Sequence, residues 1–323
     1  MKYQQSKIKT LVLGTSNTCN LKCPLCMRRD MTPEQQKEPE LDLEKFKKFI
    51  LRERFWFDLD LVNIMGTLSE PLYYTKLKEL ILFLKKEFPK VKIQIRTNGT
   101  QKFWDLPLNK KDEIFIAIDG YYQKQHSKYR INSQLKDIEQ NIKDHLQKGK
   151  AKLIAFHIKF EWNYKDTNKV KLLCQEMGFA GLYEIYTGLS LHGEFMAPGI
   201  LKPTDNRRRD LQFKLMFQKI KDSESINSDT ILDSLNDGYG CLALRPELKS
   251  LYINHKNQIN ICDAYDEDLY CTDEEPITMD LTFKEIYTRV INKKPKKQCT
   301  ECNFNNKRSK MFLKEIQDVY TEF

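Results

Sequence analysis

The stretch Leu13-Gly14-Thr15-Ser16-Asn17-Thr18-Cys19-Asn20-Leu21-Lys22-Cys23-Pro24-Leu25-Cys26-Met27-Arg28 sets three thiols in a loop that follows an apolar, strand-like run at Thr10–Leu13. Three thiolates on one short loop can grip three corners of an iron–sulfur cube and leave the fourth iron open to a non-protein ligand. Zinc accepts sulfur equally well, so ligand chemistry by itself leaves both metals open. The rhythm beyond the loop decides the fold. Further apolar, β-branched runs at Leu59–Met65, Val91–Arg96, Ile114–Ile118, Leu153–Phe160 and Leu182–Tyr186 read as buried strands. Helical faces lie between them: Leu43, Phe46, Phe49 and Ile50; Leu77, Leu80, Ile81 and Leu84; Leu135, Ile138 and Ile142. Strands alternating with helices predict an α/β fold built on a parallel sheet, here a partial (β/α)6 barrel.

The spacing Cys-x3-Cys-x2-Cys after a strand resembles the defining motif of the radical S-adenosylmethionine superfamily. Three further signatures follow in that family's order, each at the end of an expected strand. Gly66-Thr67-Leu68-Ser69-Glu70-Pro71-Leu72 resembles its glycine–glutamate–proline motif, Thr97-Asn98-Gly99 its Thr-Asn-Gly, and Ile116-Ala117-Ile118-Asp119-Gly120 its Ser-Ile-Asp-Gly. Strand carboxyl ends are where ligands sit in parallel β/α folds. The resemblance implies that Cys19, Cys23 and Cys26 hold a [4Fe–4S] cluster and that S-adenosylmethionine binds its open iron. Gly66, Ser69, Glu70, Thr97, Asn98 and Asp119 would then surround the nucleotide, with the Glu70 carboxylate on the cofactor's ammonium. Leu25, Ser69 and Ala117 stand where many members carry an aromatic residue, a glycine and a serine. His126 and Arg130 fall at spacings that border the active site in relatives.

Cys241, Cys262, Cys271, Cys299 and Cys302 form a second set toward the carboxyl end. Cys241, Cys262, Cys299 and Cys302 suit a four-thiolate site, with Cys271 as a spare able to replace one of them; structural zinc is the alternative occupant. The hairpin-like run Leu251–Cys262 resembles the one that precedes the second cysteine of SPASM and twitch domains, and the whole pattern resembles 2-deoxy-scyllo-inosamine dehydrogenase-type enzymes. The expected organisation is a radical core over 1–198, a linker and helix over 199–240 and a small cysteine-rich twitch/SPASM-like domain over 241–323. Helices are expected at Phe213–Ile220, Leu281–Ile291 and Met311–Val319, a hairpin at Leu248–Ile261, and Cys174 as a core thiol on a helix over Val170–Met177.

The chain has 323 residues, of which 40% are hydrophobic, enough for a large core. It shows neither a membrane-length apolar run nor a signal peptide, so a cytoplasmic location is expected and nine cysteines read as metal or redox chemistry rather than disulfides. A net charge of +9 favours anionic partners.

The resemblance implies reductive cleavage of S-adenosylmethionine to a 5′-deoxyadenosyl radical, which abstracts hydrogen from substrate. A four-cysteine auxiliary cluster points to a two-electron oxidation of a small polar metabolite such as an amino sugar or alcohol. The expected partners are that small-molecule or a peptide substrate and a low-potential electron donor such as flavodoxin or ferredoxin. Alternatives are a peptide- or protein-modifying maturase, a nucleic-acid-modifying enzyme suggested by Arg207-Arg208-Arg209, and a non-catalytic zinc-binding module. The few residues before Thr10 are expected to be too few for a leader-peptide recognition domain, which weighs against the peptide reading. His157 and His192 are the candidate bases, and neither is assigned.

Overall fold

The computed structural model describes residues 7–24, 26, 28, 31–34, 36, 39–66, 69–160, 162–186, 250–260, 276–292 and 320–322. Leu25, His192, the expected linker, the helices at Phe213–Ile220 and Met311–Val319, and all five carboxyl-terminal cysteines lie outside the described residues.

Strands β1 (Ile8–Leu13), β2 (Phe57–Met65), β3 (Lys92–Thr97), β4 (Glu113–Ala117), β5 (Lys152–Lys159) and β6 (Gly181–Tyr186) occupy the six runs read as strands. They lie side by side in sequence order, all parallel. The sheet is wider than six. Strand β7 (Ser250–Ile253) pairs in parallel with β1, placing Thr10 opposite Ser250 and Leu13 opposite Ile253. Short antiparallel strands β8 (Ile259–Asn260) and β9 (Tyr320–Glu322) border β7 and β6. The sheet is consistent with the expected partial barrel but has seven parallel strands rather than six, with two antiparallel edge strands, and β7 covers the row of backbone groups that β1 would otherwise leave unpaired.

Helices α1 (Leu43–Arg52), α2 (Leu77–Glu87), α3 (Gln123–His126), α4 (Leu135–Lys148) and α5 (Thr167–Glu176) fill the connections, except that β3 reaches β4 without one. There the loop is pinned by buried Phe103 and by Asp112, whose carboxylate accepts from Ile93 N (2.9 Å), Asn109 N (2.6 Å) and Lys85 Nζ (2.5 Å). The faces predicted for α1 and α2 are the buried ones. Helix α1 starts where Asp42 accepts from Glu44 N and Lys45 N, both at 3.0 Å. Cys174 is fully buried on α5.

Alternation assigns the two sheet faces. Leu11, Leu13, Val62, Ile64, Ile93, Ile95, Ile114 and Ile116 enter the main core with the helices. Residues between them, among them Asn63, Arg96, Phe115 and Phe156, face the other way. Helix α6 (Phe283–Asn292) joins the helical layer: Phe283 stacks on Trp56 at 5.1 Å and meets Phe57 edge-on at 6.2 Å. Its start is a reciprocal cap in which Thr282 N donates to Glu285 Oε2 (2.8 Å) and Glu285 N to Thr282 Oγ1 (3.3 Å). Arg52 of α1 adds a clamp by donating to the Met279 and Leu281 carbonyls at 2.9 and 2.5 Å.

Candidate cluster and nucleotide site

The four sequence motifs converge at one edge of the sheet because each follows a strand carboxyl end: the cysteine loop after β1, Glu70 after β2, Asn98 after β3 and Asp119 after β4. The loop is braced from three sides. Glu70 N donates to Thr18 O at 2.8 Å, Asn20 Nδ2 to Thr100 Oγ1 at 2.9 Å, and Lys22 N to Ile131 O at 3.2 Å. Cys26 N donates to Cys23 O at 3.1 Å. Cys23 is buried and Cys19 and Cys26 partly so, packed with Leu21, Tyr129, Phe160, Ile158 and Trp162.

Burial pushes all three thiols up from their ordinary range, and each is pushed further by a neighbouring thiol. Among the described residues no three His, Cys, Asp or Glu side chains gather closely enough to hold a single metal ion. Three thiols carried on one loop are a donor set that a cube of several irons accepts at three of its corners. Donors already face the sulfurs: Asn98 Nδ2 lies 3.9 Å from Cys19 Sγ and Arg130 Nη1 3.9 Å from Cys23 Sγ. N–H groups of this kind suit thiolate sulfur that carries metal-bound charge. On donor set and surroundings, the residues fit a [4Fe–4S] cluster.

Glu70 is 2% exposed. Its Oε1 accepts from Thr97 Oγ1 (2.6 Å) and Leu72 N (3.2 Å), and its Oε2 from Asn98 N (2.7 Å). A carboxylate accepts about four hydrogen bonds, so capacity for an ammonium remains. Burial raises Glu70 to about 7 against these three donors. Gly66 is required here: a Cβ would lie 1.6 Å from Ser69 O, so the loop folds back on the glycine. Among the described residues Ser69 Oγ is buried with no hydrogen-bond partner, a polar atom that fits contact with a polar ligand. Thr97 is engaged by Glu70 and accepts from Gly99 N at 3.0 Å, which closes a turn in which Gly99 has a φ of +77°.

Asp119 is fully buried and committed. Oδ2 pairs with Arg130 Nε at 2.6 Å, Oδ1 accepts from Ile158 N at 2.6 Å, and its carbonyl accepts from Asn163 Nδ2 at 3.0 Å. Burial works against the Arg130 charge, but Asp119 and then Cys23 hold it upward of its ordinary value. His126, also fully buried, accepts from Asp119 N at 3.2 Å and lies 3.0 Å from Ser133 Oγ; burial lowers it to about 4. It holds the loop after β4 and stays neutral. His157 lies on the helix-side face of β5, fully buried, 2.9 Å from Ile118 O. Burial lowers it too, and its position behind the sheet does not present a base to the cysteine side.

Sequence reading singled out Glu70 but not its clasp on Thr97 and Asn98, and it noted Arg130 by spacing alone. The aromatic wall of Tyr129, Phe160 and Trp162 was missed, with ring centroids 4.7 and 5.2 Å apart in succession. Its sequence signal was slight: Phe160 and Trp162 follow the end of β5, and Tyr129 stands beside Arg130.

Residues 13–162, a little under half of the chain, match the family model described as the radical SAM superfamily. Among solved structures, Streptococcus suis SuiB bound to precursor peptide SuiA is 16% identical with a TM-score of 0.63, over 92% of this chain and 70% of that one. Native anSMEcpe with bound AdoMet is 16% identical with a TM-score of 0.56, over 91% and 87%. The same protein with AdoMet and a Cp18Cys peptide is 16% identical with a TM-score of 0.55, over 97% and 84%. At such identities the likeness is one of fold. No curated protein sequence matches the chain. Among the described residues no helix is long and apolar enough to cross a membrane.

Proposed function

We propose that this chain is a radical S-adenosylmethionine enzyme that modifies a peptide or protein side chain. The carrying observation is the braced loop of Cys19, Cys23 and Cys26, with Asn98 and Arg130 donors facing two of its sulfurs at the strand carboxyl ends. The peptide substrate is supported by SuiB and anSMEcpe, which share the fold over nine-tenths of this chain and are seen with peptides bound.

Bound together, the cluster and S-adenosylmethionine supply one-electron cleavage of the sulfonium to methionine and a carbon radical that removes a hydrogen atom from substrate. The chain's own residues do the rest. Cys19, Cys23 and Cys26 would hold the cluster through their sulfurs. Glu70 receives the ammonium, while Thr97 and the Asn98 backbone hold its carboxylate in place. Ser69 Oγ offers a further polar contact, and Leu21, Tyr129, Phe160 and Trp162 keep water from the sulfurs. A low-potential donor of the flavodoxin or ferredoxin kind supplies the electron.

The second reading, oxidation of a small polar metabolite with an auxiliary cluster as electron acceptor, is favoured by the spacing of Cys241, Cys262, Cys299 and Cys302. Anaerobic purification of the wild type and of a Cys19→Ala, Cys23→Ala, Cys26→Ala variant tests the proposal. The wild type should carry about eight irons if both sites are filled, and the variant about four fewer with no 5′-deoxyadenosine formed. Zinc in a colourless protein would sink it. Mass spectrometry of peptides encoded beside the gene then separates the two substrates: a new bond or a loss of hydrogen in a peptide supports the first, turnover of an amino sugar alone the second.

A further inference from the structure

We infer that Arg130 sets the reduction potential of the cluster held by Cys19, Cys23 and Cys26, acting as a positioning residue through the Cys23 sulfur. The inference rests on the cluster assignment above and goes beyond it to a residue that touches a ligand rather than the metal.

The three sulfurs are treated unequally. Cys19 faces the neutral amide of Asn98 at 3.9 Å, an amide that also donates to Asn20 Oδ1 at 3.0 Å. Cys26 faces the Arg28 backbone N–H. Cys23 takes a direct contact from a guanidinium, Arg130 Nη1 at 3.9 Å, while the Arg28 charge acts on Cys19 and Cys26. That cation cannot wander, because its Nε is bound to Asp119 Oδ2 at 2.6 Å and Asp119 is itself tied to Ile158 N at 2.6 Å. The guanidinium also lies over the rings of Tyr129 (5.0 Å) and Phe156 (5.5 Å). Only 14% of the side chain is exposed, so its charge is weakly screened at the sulfur.

One-electron reduction adds a negative charge to a cluster. A fixed cation at one ligating sulfur stabilises that added charge and raises the potential, and hydrogen bonds to sulfur act in the same direction. Asp119 offsets part of the effect, but Arg130 uses Nε toward the carboxylate and Nη1 toward the sulfur, so the positive group stands nearer the cluster.

The test is an EPR-monitored redox titration of the reconstituted full chain without S-adenosylmethionine, after iron and sulfide have been counted. The relevant signal is the one that changes when S-adenosylmethionine is added afterwards. Arg130→Gln should keep its iron and shift the one-electron equilibrium about tenfold toward the oxidised cluster, about 59 mV lower. Arg130→Lys should recover part of that shift, and Asp119→Asn should move the potential the opposite way. An iron-replete Arg130→Gln with an unmoved or raised potential overturns the inference. If that variant loads no iron, Asp119→Asn decides: a raised potential supports the role, an unmoved or lowered one ends it. A wild type that binds no iron would instead remove the cluster assignment, before any titration.

Discussion

The helical layer around α1 and α6 and the strand ends around Asp119 are both buried, but different forces hold them. In the first, Phe46, Phe49, Phe57, Phe283 and Trp56 interlock, with Phe49 and Phe57 edge-on at 5.9 Å, and the polar contacts sit at the rim. In the second, Glu70, Asp119, His126 and Arg130 bring charge or titratable groups into the interior, each with named partners. Apolar packing is insensitive to pH and tolerates exchange between similar shapes. A buried polar network is costly unless every member is satisfied, and it fixes one geometry. The chain keeps the second kind of interior at the strand ends that the proposed function assigns to the cluster and nucleotide.

The largest effect expected from breaking this contrast comes from Phe49→Ala. Phe49 is 1% exposed, so its removal should cost about 3–5 kcal/mol in denaturant unfolding, nearly equally at every pH between 5 and 8. Glu70→Gln should behave in the opposite manner. The Glu70 carboxyl is raised from 4.5 to about 7 in the folded chain, so its favourable contribution is complete below about 4.5 and is lost as pH rises toward 7. Unfolding of metal-free wild type should therefore weaken across that window by roughly 3 kcal/mol or less, and the glutamine variant should lack this slope. A variant whose pH profile parallels the wild type would show that Glu70 does not titrate as its burial implies. The smallest effect is at the rim, where Asp42→Ala removes the cap of α1 and should cost about 1 kcal/mol while leaving iron content untouched.

The two regions were also unequally legible in the sequence. Strands β1 to β6 and the faces of α1 and α2 follow from the two apolar periods, because each is a local pattern that the main core then uses. The reciprocal cap at Thr282 and Glu285 was equally readable, being a Thr-x-x-Glu before an apolar helix face. The clasp of Glu70 on Thr97 and Asn98 was not, since it depends on two strand ends becoming neighbours. Arg130 carried a spacing but no partner until the sheet placed Asp119 and Cys23 on either side of it. The pairing of β7 with β1 was hidden for a related reason: Ser250–Ile253 reads locally as one arm of a hairpin, and nothing local names the strand on its other side.

That pairing has a consequence for how the protein is made. Thr10 and Ser250 meet across roughly 240 residues of chain, so during synthesis the outer edge of the first strand waits unpaired while most of the protein leaves the ribosome. An apolar strand edge held open for that interval is a template for pairing with another chain. Lys9, which pairs with Asp58 at 2.6 Å, places charge on that nascent strand and is suited to discourage such encounters until β7 arrives.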